Sequence, residues 1–303
     1  MKTLRLVVLV MGLAALAVGV AGVASGTRSG SRVLEETERA FVLAPGQAIA
    51  VENINGPIEY EAWDGREVVV RAVKEARGPV AFARWVAERI PISIEQTDDG
   101  VRAGYGRLFY WGFGWANLRL SFRVLVPRDW EGDISLYTSN GRITARDLRG
   151  DARLRTSNGS VVVERQAGSL AVKTSNGRIE LRDVDGVVTA ETSNGAIVVD
   201  GARLARAGRL RTSNGPVELR ARLDEGASYE VRTSNGAVRL ALIEPDVSLN
   251  LTTSNGQIAL ETEVSVAEVG RNRLVGRIGQ GAAQLSARTS NGDITVSSQG
   301  ARS

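Results

Sequence analysis

"TSNG", first met at Thr138–Gly141, returns seven more times before the chain ends. Its asparagines are Asn140, Asn158, Asn176, Asn194, Asn214, Asn235, Asn255 and Asn291, spaced by 18, 18, 18, 20, 21, 20 and 36 residues. A fixed period of this size signals a repeat architecture. Two residues before each Thr the chain is apolar: Leu136, Leu154, Val172, Ala190, Leu210, Val231, Leu251 and Ala287. Five residues after it stand Ile143, Val161, Ile179, Ile197, Val217, Val238, Ile258 and Ile294, and the positions four before and seven after are nearly as apolar. Two period-two strands therefore flank each tetrapeptide. The parity changes across TSNG, so a residue is inserted there, at a corner where Asn and Gly can take left-handed backbone.

One such unit cannot bury its own apolar columns, whereas stacked units can. The expectation is an all-β, single-chain β-solenoid resembling a parallel β-helix, with rungs of about 18 residues and TSNG corners at the ~4.8 Å rung spacing of a sheet. Asn would stack on Asn and Thr on Thr, with side-chain hydrogen bonds along the ladder. The competing reading is a flat array of Thr and Ser hydroxyls matched to a polysaccharide or to ice. Thr shares the parity of the inward columns, which argues against it. A second corner carries Gly132, Gly150, Gly168 and Gly186. The double-length final spacing suggests a degenerate rung between Gln257 and Gln284, so nine in all, with "VGRNRLVGRIGQGAAQ" as an excursion or hairpin.

Upstream, "IAVENINGPIEYEAW" fits the same template with Asn55-Gly56 as its corner. "VVVRAVKEA" and Leu118–Pro127 read as strands, and Pro79–Ile90 as a short amphipathic helix. This block would cap the open edge of the rod. The domain layout is residues 1–25 signal peptide or N-terminal membrane anchor, 26–37 linker, 38–128 capping region with one diverged rung, 129–298 solenoid and 299–303 tail. The export reading rests on Lys2 and Arg5 ahead of an uncharged run from Leu6 to Thr27 with a small-residue exit at Gly22-Val23-Ala24. That run approaches a bilayer-spanning length, so an uncleaved anchor stays open. Exported here means periplasm, cell surface or membrane-anchored and facing outward.

The order "VENINGPIEYEAWDG", short helix, strand ending "VLVP", then serial "TSNG-x-(Ile/Val)" rungs resembles the bacterial adhesin-like β-strand-repeat family, a domain of unknown function. The resemblance covers about residues 38–298. It implies a surface or envelope protein and supplies no catalytic residues.

With no His and no Cys, the commonest general base, thiol nucleophiles, Cys/His zinc sites and disulfides are excluded. The formal charge of +4 is too small to imply nucleic-acid binding. No catalytic, cofactor or metal site is expected: "DVDG" at Asp183–Gly186 lacks the rest of a calcium loop, and "RGD" at Arg149–Asp151 places its Gly in the second-corner column. Two candidate binding features remain. "GYGRLFYWGFGW" (Gly104–Trp115) gathers Tyr105, Phe109, Tyr110, Trp111, Phe113 and Trp115 in a Gly-interrupted loop suited to sugar stacking, a membrane interface, a protein partner, or simply covering the first rung. Arg153, Arg155, Lys173, Arg209, Arg211, Arg232 and Arg288 could form a cationic stripe for an anionic glycan or lipid headgroups. Glu191, Thr252 and acidic residues in other outward columns favour a mixed solvated face instead. The function expected is an exported, non-enzymatic adhesin-like or envelope-scaffold rod, whose partner would be an envelope polysaccharide, a membrane surface or a surface protein, and not nucleic acid. The alternatives are a glycan-active enzyme on a solenoid and a self-assembling structural solenoid.

Overall fold

The computed structural model describes residues 22–24, 32–77, 90–105 and 118–300, and among them every regular element is a strand. The expected helix over Pro79–Ile90 lies outside the described residues except for Ile90 itself, as do residues 1–21 at the head of the export reading.

The first strands are β1 (Gly22–Ala24), β2 (Arg32–Phe41), β3 (Ala48–Glu52), β4 (Ile58–Trp63), β5 (Val68–Arg77), β6 (Ile92–Thr97), β7 (Gly100–Tyr105) and β8 (Leu118–Pro127). β3 and β4 form the diverged first rung around the Asn55-Gly56 corner. Outside it, β7 pairs parallel with β3 and β8 parallel with β4. Antiparallel strands then finish this end: β6 on β7, and β5, β2 and β1 in turn beyond β8. The edge that repeated rungs would leave open is thereby covered by antiparallel strands in place of a further parallel rung. β2 starts at Arg32, inside the stretch 26–37 expected as linker, because its residues pair along the whole of β5.

The repeat supplies β9 (Asp133–Thr138), β10 (Ile143–Arg149), β11 (Ala152–Thr156), β12 (Val161–Lys173), β13 (Ile179–Glu191), β14 (Ile197–Leu204), β15 (Ala207–Arg211), β16 (Val217–Leu223), β17 (Ser228–Arg232), β18 (Val238–Ile243), β19 (Val247–Thr252) and β20 (Ile258–Leu260). Strands leading into TSNG stack parallel on one face of the rod, here face A, and strands leaving it stack parallel on face B. β12 and β13 run around the second corner and belong to both faces. The inward columns of both faces merge in one core, with Leu136, Leu154, Leu210 and Val231 facing it from A and Ile143, Val161, Ile179 and Val217 from B. One core position is adjusted locally: Gly208 leaves the space that the Tyr229 ring of the next rung fills, and the Tyr229 hydroxyl accepts a hydrogen bond from Val188 N at 3.0 Å.

At the corner every Thr of TSNG is buried and donates its hydroxyl to the corner glycine carbonyl of the adjacent rung, at 2.8–3.1 Å over the eight copies. Each Asn donates its amide to the Asn of the adjacent rung at 2.6–2.8 Å, in one line from Asn55 through Asn140 to the far end. In the diverged rung Asn53 takes the place of Thr and donates to Gly56 O and Leu120 O. The glycine serves a different need from the one expected. None of the eight TSNG glycines or asparagines is left-handed; instead a Cβ on any of these glycines would meet the neighbouring corner carbonyl oxygen at 1.7–2.0 Å. Left-handed backbone lies at the second corner, at Asp147, Arg165 and Asp183 (φ 57°, 57° and 52°) and at Gly150, Gly168 and Gly186.

The last strands, β21 (Ser265–Val269), β22 (Arg273–Ile278), β23 (Ala283–Arg288) and β24 (Ile294–Gln299), correct the expected order. No rung fills the long gap between Asn255 and Asn291. β21 and β22 form an antiparallel hairpin, and β22 lies antiparallel against β19. The chain then crosses the start of β19 and inserts its final rung between the two before it: β23 lies between β17 and β19, and β24 between β18 and β20. The asparagine ladder accordingly runs Asn235, Asn291, Asn255. Rungs with equivalent columns and corners can stack in either order, so periodicity leaves this choice open.

Two stability outcomes follow from these contacts. Gly177→Ala should lower unfolding stability by about 3 kcal/mol or more, since the added methyl meets backbone rather than a movable side chain. Gln166 is buried between Leu148 and Val184 in its column, and neither atom of its amide has a partner. Gln166→Leu should raise stability by about 1–2 kcal/mol. Denaturant unfolding of both variants checks the pair.

Candidate functional site

Strand alternation turns every second residue of each face outward, and parallel register stacks those residues into columns. On face A one column reads Tyr137, Arg155, Lys173, Glu191, Arg211, Arg232, Arg288, Thr252. The next reads Ser135, Arg153, Ala171, Thr189, Arg209, Glu230, Ser286, Asn250. Glu52 of the diverged rung continues the first column beside Tyr137; along the repeat strands themselves all seven residues of the expected cationic stripe are here and exposed, against two carboxylates. Both carboxylates are occupied: Lys173 holds Glu191 at 3.2 Å and Arg209 holds Glu230 at 3.2 Å. Arg155 lies over the Tyr137 ring, 6.0 Å from its centroid. Among the described residues Arg153, Arg211, Arg232 and Arg288 have no carboxylate within ion-pair distance.

Face B is balanced. Its outward columns carry Arg146, Arg182, Arg220 and Arg239 with Glu164, Glu180, Asp200 and Glu218. Arg146 and Arg182 grip Glu164 at 2.9 and 3.3 Å, Arg220 holds Asp200 at 2.9 Å, Arg239 holds Glu218 at 2.9 Å, and Arg182 also pairs with Glu180. The hydrogen bond from Arg146, reinforced by the charges of Arg146 and Arg182, keeps the Glu164 carboxyl below the usual carboxylate range. The acidic columns that made the stripe look mixed in sequence thus lie on the opposite face. Exposed pairs of this kind contribute little stability each; their effect is to cancel charge on B and leave it uncancelled on A.

The inserted rung shapes the far end of face A. Arg211, Arg232 and Arg288 come from different parts of the chain yet sit on successive strands, β15, β17 and β23. β22 adds Arg273 and Arg277 beside β19. Neither was visible as a site residue in sequence, because the hairpin breaks the period and reverses the strand. Its crossover is held by Asp246, whose carboxylate accepts from Gly281 N at 2.6 Å and Ala282 N at 3.2 Å, with Gly279 and Gly281 left-handed in the turn.

The aromatic candidates are divided. Tyr105 ends β7, half-buried, so Gly104 and Tyr105 belong to a strand rather than to the expected loop. Phe109, Tyr110, Trp111, Phe113 and Trp115 lie outside the described residues. In the RGD stretch Gly150 is left-handed at the second corner, and Asp151 accepts from Ser169 N at 3.3 Å. Among the described residues no three carboxylates come together as a metal-holding group.

A family model described as Toastrack DUF4097 matches residues 131–297. No curated protein matches the chain. Among solved structures, a "putative adhesin" from Bacteroides fragilis is similar at 12% identity, over 86% of this chain and 96% of that one, with a TM-score of 0.41. A "putative cell adhesion protein" from Clostridium sporogenes is similar at 9% identity over 87% and 100%, TM-score 0.32. A "putative adhesin" from Parabacteroides distasonis is similar at 10% identity over 86% and 96%, TM-score 0.31.

Hydrogen bonds from the Ala282, Gly281 and Gln280 amides hold the Asp246 carboxyl below its usual range. A lowered folded-state value means the clamp contributes fully above the ordinary carboxylate pKa of about 4 and is lost as pH falls through the folded value. The protection of backbone amides over residues 279–288, taken relative to the intrinsic exchange rate at each pH, should therefore fall below about pH 4, and Asp246→Asn should show lower protection at pH 7 with a flatter acid response.

Proposed function

The chain belongs to the Toastrack DUF4097 family, whose model spans more than half of it, and on that premise we propose that it is an exported, non-enzymatic rod with an adhesin-like or envelope-scaffold role. Its work is to hold a binding face at a fixed distance. The observation that carries this is the charge asymmetry between the faces: face B pairs its arginines with carboxylates, mostly of adjacent rungs, while on face A Arg211, Arg232 and Arg288 stand in a row without a carboxylate partner among the described residues. Continuous backbone pairing and the Asn and Thr ladders would make the rod stiff. The uncharged run from Leu6 to Thr27 supports export, as signal or anchor. Binding rather than turnover suits a surface whose face-B carboxylates are held by arginines instead of converging in a cleft. The contact surface is face A, and the partner an anionic component of the envelope, polysaccharide or lipid.

The test is binding of the purified protein to envelope polysaccharides and to anionic liposomes at low and high salt, beside a Trp111→Ala/Trp115→Ala variant. Face A predicts binding that weakens as salt rises and survives the tryptophan changes, because interactions between exposed charges are screened within about 10 Å at 0.1 M salt. Binding insensitive to salt but lost in the variant would move recognition to the aromatic segment. Absence of binding under every condition would leave a scaffold without this face as its site.

A further inference from the structure

The far end of face A is more than a charged surface. Between the β21–β22 hairpin and the outer side of β17, β23 and β19 lies a groove of about 550 Å³. Its floor is made of short polar side chains, Ser286, Asn250, Ser248 and Gln284, on two neighbouring strands. Val266 of β21 and Val275 of β22 supply apolar wall, and Arg277 closes one end. One outward position further along the same strands stand Arg232 and Arg288, continued by Arg211 on the next rung. Glu230 and Glu268, the nearby carboxylates, are already approached by Arg209 at 3.2 Å and Arg273 at 3.8 Å.

We propose that this groove and its arginine row bind a linear acidic polysaccharide of the polyuronate type, a reading that rests on face A being the binding face. Three guanidinium groups on successive rungs repeat at about 4.8 Å, close to the length of one pyranose unit, so a single small anion cannot engage all three whereas a chain with a carboxylate on each sugar can. Guanidinium suits carboxylate because it donates two parallel hydrogen bonds. Hydroxyl and amide side chains on the floor match sugar hydroxyls, and the valines match the C–H face of the ring. Single-stranded nucleic acid fits less well, since such sites stack bases on aromatic rings and Tyr229, the one aromatic lining the groove among the described residues, is buried with its hydroxyl engaged by backbone. The site exists because the final rung is inserted: stacked in chain order, Arg288 would not follow Arg232.

Hexagalacturonate, maltohexaose and phosphatidylglycerol vesicles are titrated into the full-length protein, into Arg232→Gln/Arg288→Gln, and into Arg153→Gln/Arg155→Gln from the other end of the same face. All substituted side chains are exposed, and unchanged melting temperatures confirm folding. The expected result is binding of hexagalacturonate but not maltohexaose, weakened roughly tenfold or more in the Arg232/Arg288 variant and less than about twofold in the Arg153/Arg155 variant. Equal weakening in both variants overturns the groove as the site and leaves face A as a diffuse binding face. Salt-sensitive vesicle binding without hexagalacturonate binding overturns the saccharide assignment alone. Failure of every anionic probe overturns both this site and the binding role of face A.

Discussion

Each corner glycine carbonyl occupies the place where a Cβ on the next corner glycine would be, and on this contact the rest of the rod depends. It sets how closely successive turns approach, and the buried Thr hydroxyl donated to that same carbonyl holds the approach in place. With the corners locked, strands entering and leaving them have no freedom of register, because a one-residue slip would turn the apolar columns out to water. The Asn ladder lies on the exposed side of the same corner. It adds hydrogen bonds of modest net worth, roughly 1 kcal/mol each at most in water, and gives the amide groups partners they would otherwise seek from solvent.

Locked register converts a linear pattern into two surfaces of different electrostatic character. Most charges on the repeat strands find their partner one rung away, with Arg182 and Glu180 on one strand as an exception, so pairing depends largely on which residues the repeat brings into one column. On face B one column alternates in sign from Arg146 to Arg220 and its neighbour sets Glu218 against Arg239, so the charges cancel; on face A the cations are in excess. Neutralising one face while leaving the other basic lets a protein with a small net charge present a localised positive field. The fold itself is compatible with many roles, and this distribution, rather than the solenoid, is what favours a binding role for one side.

The inserted final rung shows where repetition stops being informative. Stacking β23 and β24 between older rungs costs the chain a crossover over β19, which Asp246 and two left-handed glycines make possible. In return the exposed end of the stack is closed on face A by an antiparallel hairpin, mirroring the antiparallel strands at the other end. Both devices avoid presenting a long parallel edge to other chains. The hairpin wall and the arginine row of the groove are products of this ending, not of the repeat.

From Ile143, Val161, Ile179 and their counterparts before each TSNG, the sequence alone determined that the chain is a stack of two-stranded rungs, which residues face inward, and that Thr is buried while Asn stacks on Asn, because period and parity are local properties of strands. It also placed all seven stripe cations on an outward surface. It misjudged the corner glycine, since a clash with a neighbouring rung leaves no local mark, and it expected left-handed backbone at TSNG that the structure places at Asp147, Arg165 and Asp183. Tertiary structure alone decided that the acidic columns lie on the opposite face, that Arg288 follows Arg232, and that Arg273 and Arg277 join the same end. The physical reason is that equivalent rungs fit one another equally well in more than one order, so columns are written in the sequence while the neighbours within them are chosen by the path of the folded chain.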